Sequence, residues 1–222
     1  MTRGIIAHQA PNRQPPKPRR LGIPLQALVL GLTLGGVGVA QASLPYPAYD
    51  TYQARFYERL GAECLKRAGP MPQCFSLLET SLTFDAKAPQ VHFTLGRYYT
   101  ALGDLKKATG AFLRAVELAP ELSPAYIALG DVYLMRGEVE DARRQYQVVA
   151  ERHPEQGLPR YKLATAHAAE AEEADALKEL AAAIERGFKD AVSLRADPAW
   201  RNVLGSPALE AQLAPLEGKE SP

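Results

Sequence analysis

The chain has 222 residues, of which 46% are hydrophobic and 23% are charged. This composition excludes an intrinsically disordered chain and predicts one folded domain or two. Five cations and no anion fall within residues 1–42, which leaves 21 cations and 25 anions for the remainder. The body of the protein is therefore slightly acidic, which excludes the strongly basic surface typical of nucleic-acid-binding proteins.

Residues 1–42 are predicted to be a targeting segment. A polar, proline-rich, basic stretch precedes the uncharged run LGIPLQALVLGLTLGGVGVA, and AQA at 40–42 has the small-x-small pattern of a signal peptidase site. Cleavage is predicted between Ala42 and Ser43. The run 21–40 also has the length of a membrane span, so an uncleaved anchor is the alternative. We expect an exported protein of the periplasm or cell envelope, or one anchored in the inner membrane and facing outward.

The next segment carries both cysteines of the chain. Residues 43–54 are predicted to be a linker and the start of a first helix, and residues 55–88 a helical hairpin that turns at GPMP. Cys64 and Cys74 flank this turn, so their Cα atoms are expected within disulfide reach, about 4.4–6.8 Å. We expect a bridge in an oxidising compartment. Two small buried thiols are the alternative.

Two stretches that follow match each other at one fixed spacing. LGRYYTALGDLKKATGAF begins at Leu95, and LGDVYLMRGEVEDARRQY begins at Leu129. The matching residues are Leu95 and Leu129, Gly96 and Gly130, Tyr99 and Tyr133, Gly103 and Gly137, Ala108 and Ala142, Phe112 and Tyr146, and Pro120 and Pro154. Small residues let two antiparallel helices approach closely, the second glycine forms the turn, and proline ends the second helix. A single hairpin cannot bury its apolar face alone, so the pattern predicts stacked hairpins.

This period and motif resemble the tetratricopeptide repeat family. The resemblance implies an all-α fold, a right-handed solenoid of antiparallel helix pairs, with repeats at 89–122 and 123–156. A degenerate third repeat is expected at 157–190, where AEEADA replaces the glycine-containing turn. Residues 55–88 resemble an atypical, degenerate N-terminal copy.

Residues 191–213 are predicted to cap the end of this stack. Asp-Pro at 197–198 and Ser-Pro at 206–207 each combine an N-cap residue with a proline in the first helical position, which predicts two short helices. Their apolar residues are expected to cover the last repeat: Trp200, Val203, Leu204, Leu209 and Leu213. A ligand-binding role is the alternative for Trp200. Residues 214–222 are predicted to be a disordered tail.

The sequence carries no recognisable catalytic constellation. It has no glycine-rich phosphate loop, nucleophile elbow or HExxH zinc motif. His167 and Glu170 share a helix face, but no second pair accompanies them, which favours a solvated helix end over a metal site. An enzyme would have to use Arg97, Asp131 and Lys162. We therefore expect no enzyme, no catalytic residue, no cofactor and no metal.

The resemblance implies that the first helix of each repeat lines a concave groove. Family geometry projects these positions into it: Phe93, Arg97, Thr100, Ile127, Asp131, Leu134, Tyr161, Thr165 and Ala168. Apolar side chains in such a strip suit a helical or extended peptide. Two alternatives remain. Arg97 and Asp131 could simply pair with each other, and Phe93, Ile127 and Tyr161 could be partly core.

The expected function is that of a non-catalytic adaptor or scaffold that binds a peptide or protein segment in this groove. The alternative is a structural protein that self-associates and has no specific peptide ligand. No nucleic-acid partner is expected, and membrane contact is expected only through an uncleaved N-terminal segment.

Overall fold

A computed structural model describes residues 47–217, which contain helices and turns and no strand. The first eight helices form four hairpins: α1 (Pro47–Ala68) with α2 (Pro72–Phe84), α3 (Pro89–Ala101) with α4 (Leu105–Leu118), α5 (Ser123–Met135) with α6 (Val139–Arg152), and α7 (Gly157–Ala169) with α8 (Glu173–Glu185). A short helix α9 (Ala191–Ala196), a 3-10 helix (Pro198–Trp200) and α10 (Pro207–Glu217) follow. The predicted all-α solenoid of paired helices is confirmed.

The leader and its predicted cleavage site between Ala42 and Ser43 lie outside the described residues. At the other end, α10 continues through Pro215 to Glu217. The prediction of a disordered tail is therefore wrong for residues 214–217, and the rest of that tail lies outside the described part. None of the helices within 47–217 is both long and apolar enough to cross a membrane.

The turns within three successive hairpins are built at equivalent positions. Gly103 and Gly137 both have φ of 77°, a left-handed backbone conformation that glycine adopts without steric cost. The hairpin of α7 and α8 places Ala171 at this position with φ of 60°. Ala171 therefore adopts the turn despite its Cβ atom, which explains why AEEADA can replace the glycine-containing turn.

Inside each of the two middle hairpins, a glycine of the first helix faces a large side chain of the second. A Cβ atom on Gly96 would lie 2.5 Å from the Phe112 ring, and one on Gly130 would lie 2.4 Å from the Tyr146 ring. Phe112 and Tyr146 are both buried. The glycines therefore allow the aromatic side chains to pack directly against the backbone of the neighbouring helix.

Successive hairpins contact each other through their first helices, since α3 packs on α1 and α5, and α5 packs on α7. We call α1, α3, α5 and α7 the inner helices, and α2, α4, α6 and α8 the outer helices. The outer helices α2, α4 and α6 also pack on the inner helix that follows them. The core is consequently continuous from one hairpin to the next, as expected for a solenoid.

The first hairpin departs from the others in the spacing between the glycine and the large side chain that it faces. A Cβ atom on Gly61 would meet the Leu78 side chain at 2.6 Å, so Gly61 and Leu78 play the roles of Gly96 and Phe112. The segment from Gly61 to Leu78 is thus one residue longer than the segment from Gly96 to Phe112, although the two turns between the helices are equally long. Cys64 and Cys74 flank the turn between α1 and α2 with their Cα atoms 5.3 Å apart and their sulfur atoms joined.

The C-terminal segment packs against the last hairpin. Leu194, Trp200, Leu209 and Leu213 are fully buried in one cluster with side chains of α7 and α8. Residues of the cap thus form part of the core. Leu204, in contrast, remains exposed.

Candidate functional site: a groove on α3 and α5

A large cavity of about 860 Å³ lies on the inner helices α3 and α5. Five of the predicted groove residues line it: Phe93, Arg97, Thr100, Ile127 and Asp131. The cavity is also lined by the connections that follow α4 and α6. We call this cavity the groove.

The floor of the groove is apolar. It is formed by Phe93, Phe112, Leu122, Ile127, Ala128, Val149 and Leu158. Phe93 packs against Phe112 with ring centroids 5.8 Å apart, so one side of this residue belongs to the core. Ile127 likewise packs against the core cluster around Tyr146. Both residues therefore combine a packing role with a surface that faces the groove.

Arg97 contributes a positive charge to the groove. Its side chain is exposed, and within residues 47–217 it forms no ion pair. Asp131 is engaged elsewhere: its Oδ1 atom accepts hydrogen bonds from Lys162 Nζ at 2.8 Å and from the Tyr146 hydroxyl at 2.7 Å. The alternative that Arg97 and Asp131 pair with each other is therefore wrong.

The contact between Asp131 and Tyr146 joins two helices of one hairpin. Burial is the main cause that raises the pKa of the Tyr146 hydroxyl, and the nearby Asp131 carboxylate raises it further. Tyr146 therefore stays neutral and donates its proton to Asp131. Lys162 reaches the same carboxylate from α7. These bonds hold one edge of the groove in place and neutralise the charge of Asp131.

Tyr161 and Thr165 do not line the groove, and neither does Ala168. All three are buried. The Tyr161 ring lies near those of Phe188 and Trp200, with ring centroids 4.2 Å and 6.4 Å away. The prediction that these positions form a binding surface is therefore wrong, because the C-terminal cap covers α7.

Burial also changes the acid–base behaviour of Tyr161. Loss of hydration raises the pKa of its hydroxyl to about 12, although a hydrogen bond with Thr165 acts in the opposite direction.

Leu134 lies between the groove and the cap. It lines a smaller cavity, of about 450 Å³, together with Pro198 and Arg201.

Groove residues in the connections between hairpins, and at the starts of the helices that follow them, were not predicted from the sequence. Ser123 and His153 are joined by a hydrogen bond of 2.8 Å between the hydroxyl and Nε2. Both line the groove, as do Leu122 and the exposed Leu158. The repeat itself pointed to Leu158, because Leu158 occupies the position in its repeat that Pro124 occupies in the preceding one. Both residues line the groove.

His167 contacts a different carboxylate from the one considered in the sequence. Its Nδ1 atom lies 2.6 Å from Glu172, whereas Glu170 pairs with Arg143. The ligand atoms of His167, Glu172 and Asp175 lie within 4.8 Å of one another. The hydrogen bond with His167 is the main cause that lowers the pKa of the Glu172 carboxyl. The cluster has a structural role. It ties the turn between α7 and α8 to α6 through Arg143.

Comparisons with known proteins agree with this architecture. The family described as the second ARM domain of tetratricopeptide repeat protein 21 matches residues 64–197, more than half of the chain. No curated protein gave a match.

Solved structures of tetratricopeptide repeat proteins have a similar fold. A crystal structure of MamA matches with a TM-score of 0.57 and 21% sequence identity over 65% of this chain and 84% of that one. MamA from Desulfovibrio magneticus RS-1 matches with a TM-score of 0.59 and 17% identity over 76% and 98%. YrrB, described as a TPR protein with an unusual peptide-binding site, matches with a TM-score of 0.54 and 20% identity over 74% and 86%. From the repeat architecture and the family match, the chain belongs to the tetratricopeptide repeat family described as the second ARM domain of tetratricopeptide repeat protein 21.

Proposed function

We propose that the chain is a non-catalytic adaptor that holds a peptide segment of a protein partner in the groove on α3 and α5. Membership of a repeat family, and likeness to a neighbour described as having a peptide-binding site, support a role in protein interaction. The observation that supports binding of a peptide segment is the groove itself, which combines an apolar floor with the charge of Arg97. Apolar contacts supply affinity for such a segment, and Arg97 orients it.

The groove has few groups suited to catalysis, and we assign it no chemical step. Lys162 neutralises the charge of Asp131, which also accepts a hydrogen bond from Tyr146, and His153 is bonded to Ser123. Arg97 and Glu121 are the other charged residues that line the groove. A guanidinium group does not act as a proton donor or acceptor near neutral pH, and a single carboxylate does not make up an acid–base pair. Binding is accordingly the function that these side chains support best.

We also propose that the protein acts outside the cytoplasm, in the periplasm or cell envelope. The basic stretch, the uncharged run and AQA at 40–42 support export. A bridge between Cys64 and Cys74 would suit that oxidising compartment. N-terminal sequencing of the protein from its native host tests this proposal: Ser43 as the first residue supports it, and an N-terminus before Ser43 contradicts the cleavage site.

Capture of partners from the native envelope tests the binding proposal. The bait is residues 43–222, which include all the described helices, compared with Arg97→Ala and Leu158→Ala variants. Both replaced side chains face the groove, and both are exposed, so the fold should be kept. The matched control is Leu113→Ala on the outer helix α4, since Leu113 is 40% exposed and Leu158 is 49% exposed.

A partner captured by the wild type and by Leu113→Ala, and lost from both groove variants, is the expected result. Equal capture by all four baits would contradict the proposal and move binding to another surface. Tyr161 is unsuitable for such a variant, because its ring is part of the core.

A further inference from the structure

The first helix of the stack has a large exposed apolar face. Tyr49, Tyr52, Phe56 and Leu60 lie on one side of α1, because their spacing follows the period of a helix. Their side chains are between 37% and 63% exposed. Isolated exposed apolar residues are common, but a continuous strip of four indicates an interaction surface.

Comparison with the other hairpins identifies what this face is for. Phe56 lies five residues before Gly61, as Val91 lies five residues before Gly96. Leu60 corresponds in the same way to Leu95. In α3, Val91 and Leu95 are buried against Leu78 of the preceding hairpin. Phe56 and Leu60 therefore occupy the positions through which one hairpin stacks on another.

Within residues 47–217, no hairpin precedes α1 to cover this stacking face. The opposite end of the stack is closed, because Trp200, Leu209 and Leu213 are buried against the last hairpin. A second molecule would not continue the stack from head to tail, since the cap already occupies the stacking face of that last hairpin. Two copies of α1 can still meet face to face.

After the predicted cleavage, the segment that precedes α1 is too short to cover the stacking face. Ser43–Tyr46 would then precede α1, and four extended residues span at most about 14 Å. The apolar strip from Tyr49 to Leu60 extends about 16 Å along the helix, away from that end. The short reach of these residues rests on the proposed cleavage site and is independent of the groove.

We propose that the α1 face is covered by a second copy of this chain in a twofold-symmetric dimer. In such an interface the same surface of each copy is self-complementary. Antiparallel pairing of the two α1 helices with Phe56 at the axis brings Tyr52 of one copy opposite Leu60 of the other, because each lies four residues from Phe56. The exposed strip becomes the centre of the interface, where aromatic side chains contribute most to binding.

Sedimentation velocity of residues 43–222 over a wide range of concentration tests this inference. The expected result is a reversible increase from the mass of one chain to that of two. Phe56→Asp should raise the dissociation constant of the dimer by at least about tenfold, because it buries a charge at the twofold axis. Val192→Asp is the matched control: Val192 is exposed on the C-terminal cap, and its replacement should leave the dissociation constant unchanged.

Circular dichroism of each variant establishes that its helices are retained. A wild-type chain that is monomeric at every concentration would overturn the inference, as would an equally tight Phe56→Asp dimer or assemblies that grow beyond two copies. The groove variant Arg97→Ala should dimerise as the wild type does. Failure of the dimer and failure of the groove proposal are therefore distinguishable.

Discussion

The indole nitrogen of Trp200 donates a hydrogen bond to the hydroxyl oxygen of Thr165 over 3.2 Å. Thr165 in turn donates to the carbonyl oxygen of Tyr161, one turn earlier in α7. Trp200, from the 3-10 helix, thereby fixes the C-terminal cap to the inner helix of the last hairpin. The cap closes this part of the surface, and the open groove is left on α3 and α5.

Replacement of Trp200 should consequently destabilise the whole C-terminal part of the stack. We expect Trp200→Ala to lower the free energy of unfolding by about 3–5 kcal/mol, because the side chain is fully buried. Trp200→Phe should cost less, since it keeps an aromatic ring and loses the hydrogen bond. Chemical denaturation followed by circular dichroism measures both. The exposed Val192→Ala serves as the control, and a Trp200→Ala variant as stable as this control would contradict the role of the cap.

The close approach of Gly96 to Phe112 predicts opposite effects for two glycine substitutions. Gly96→Ala should lower the free energy of unfolding by about 1–3 kcal/mol, because its Cβ atom overlaps the aromatic ring. Gly110→Ala should instead raise it by up to about 1 kcal/mol, because among the described residues its Cβ atom would meet nothing within 4 Å beyond its chain neighbours and the backbone of its own helix, and alanine favours the helix. Urea denaturation measures the free energy of unfolding of the two variants, and equal values would contradict the packing described for this hairpin.

Ala171 gives a prediction of increased stability. Its left-handed backbone conformation, with φ of 60°, is one that glycine adopts more readily. Ala171→Gly should therefore raise the free energy of unfolding by about 1 kcal/mol. Ala181→Gly, in the middle of α8, should lower it by a similar amount. The midpoint of thermal unfolding should move in opposite directions for the two variants, and a fall for both would indicate that Ala171 is not strained.

The bridge between Cys64 and Cys74 remains a prediction that chemistry can test. Closing a loop with a sequence separation of 10 should contribute about 2–3 kcal/mol to the free energy of unfolding. Reduction of the wild type should remove this contribution, while a Cys64→Ala, Cys74→Ala double variant should be insensitive to the reductant. Mass spectrometry after alkylation of the unreduced protein provides the direct check, since two alkylated thiols would exclude the bridge.

Much of the fold could be predicted because its determinants are local and recur at the fixed spacing that separates Leu95 from Leu129. Gly103 and Gly137 mark turns, and the small Gly96 and its repeat equivalent mark close helix contacts. The first hairpin is less regular, because one added residue between Gly61 and Leu78 moves Gly61 one position out of the strict repeat register. A single added residue leaves no signal in the sequence when the surrounding residues have diverged.

The candidate site was predicted only in part, for a physical reason. Tyr161 has the same repeat position as Phe93 and Ile127, so a periodic pattern assigns all three to one groove. Its burial depends on Trp200, which lies far along the chain and outside the repeat. The partner of Asp131 was equally hard to foresee, because Lys162 approaches from another hairpin. Contacts between distant residues of this kind have no signal in the local period.

The central claim, that a protein segment binds in the groove, is tested most directly by photo-crosslinking in the native host. A photoreactive amino acid replaces Ala101 in one strain and Leu113 in another, so that Arg97 is kept in both. Ala101 lines the groove, both positions are exposed, and they lie on an inner and an outer helix of the same hairpin. We predict an adduct with a partner protein from position 101 and none from position 113. Adducts from position 113 alone, or equal adducts from both, would contradict the proposed groove.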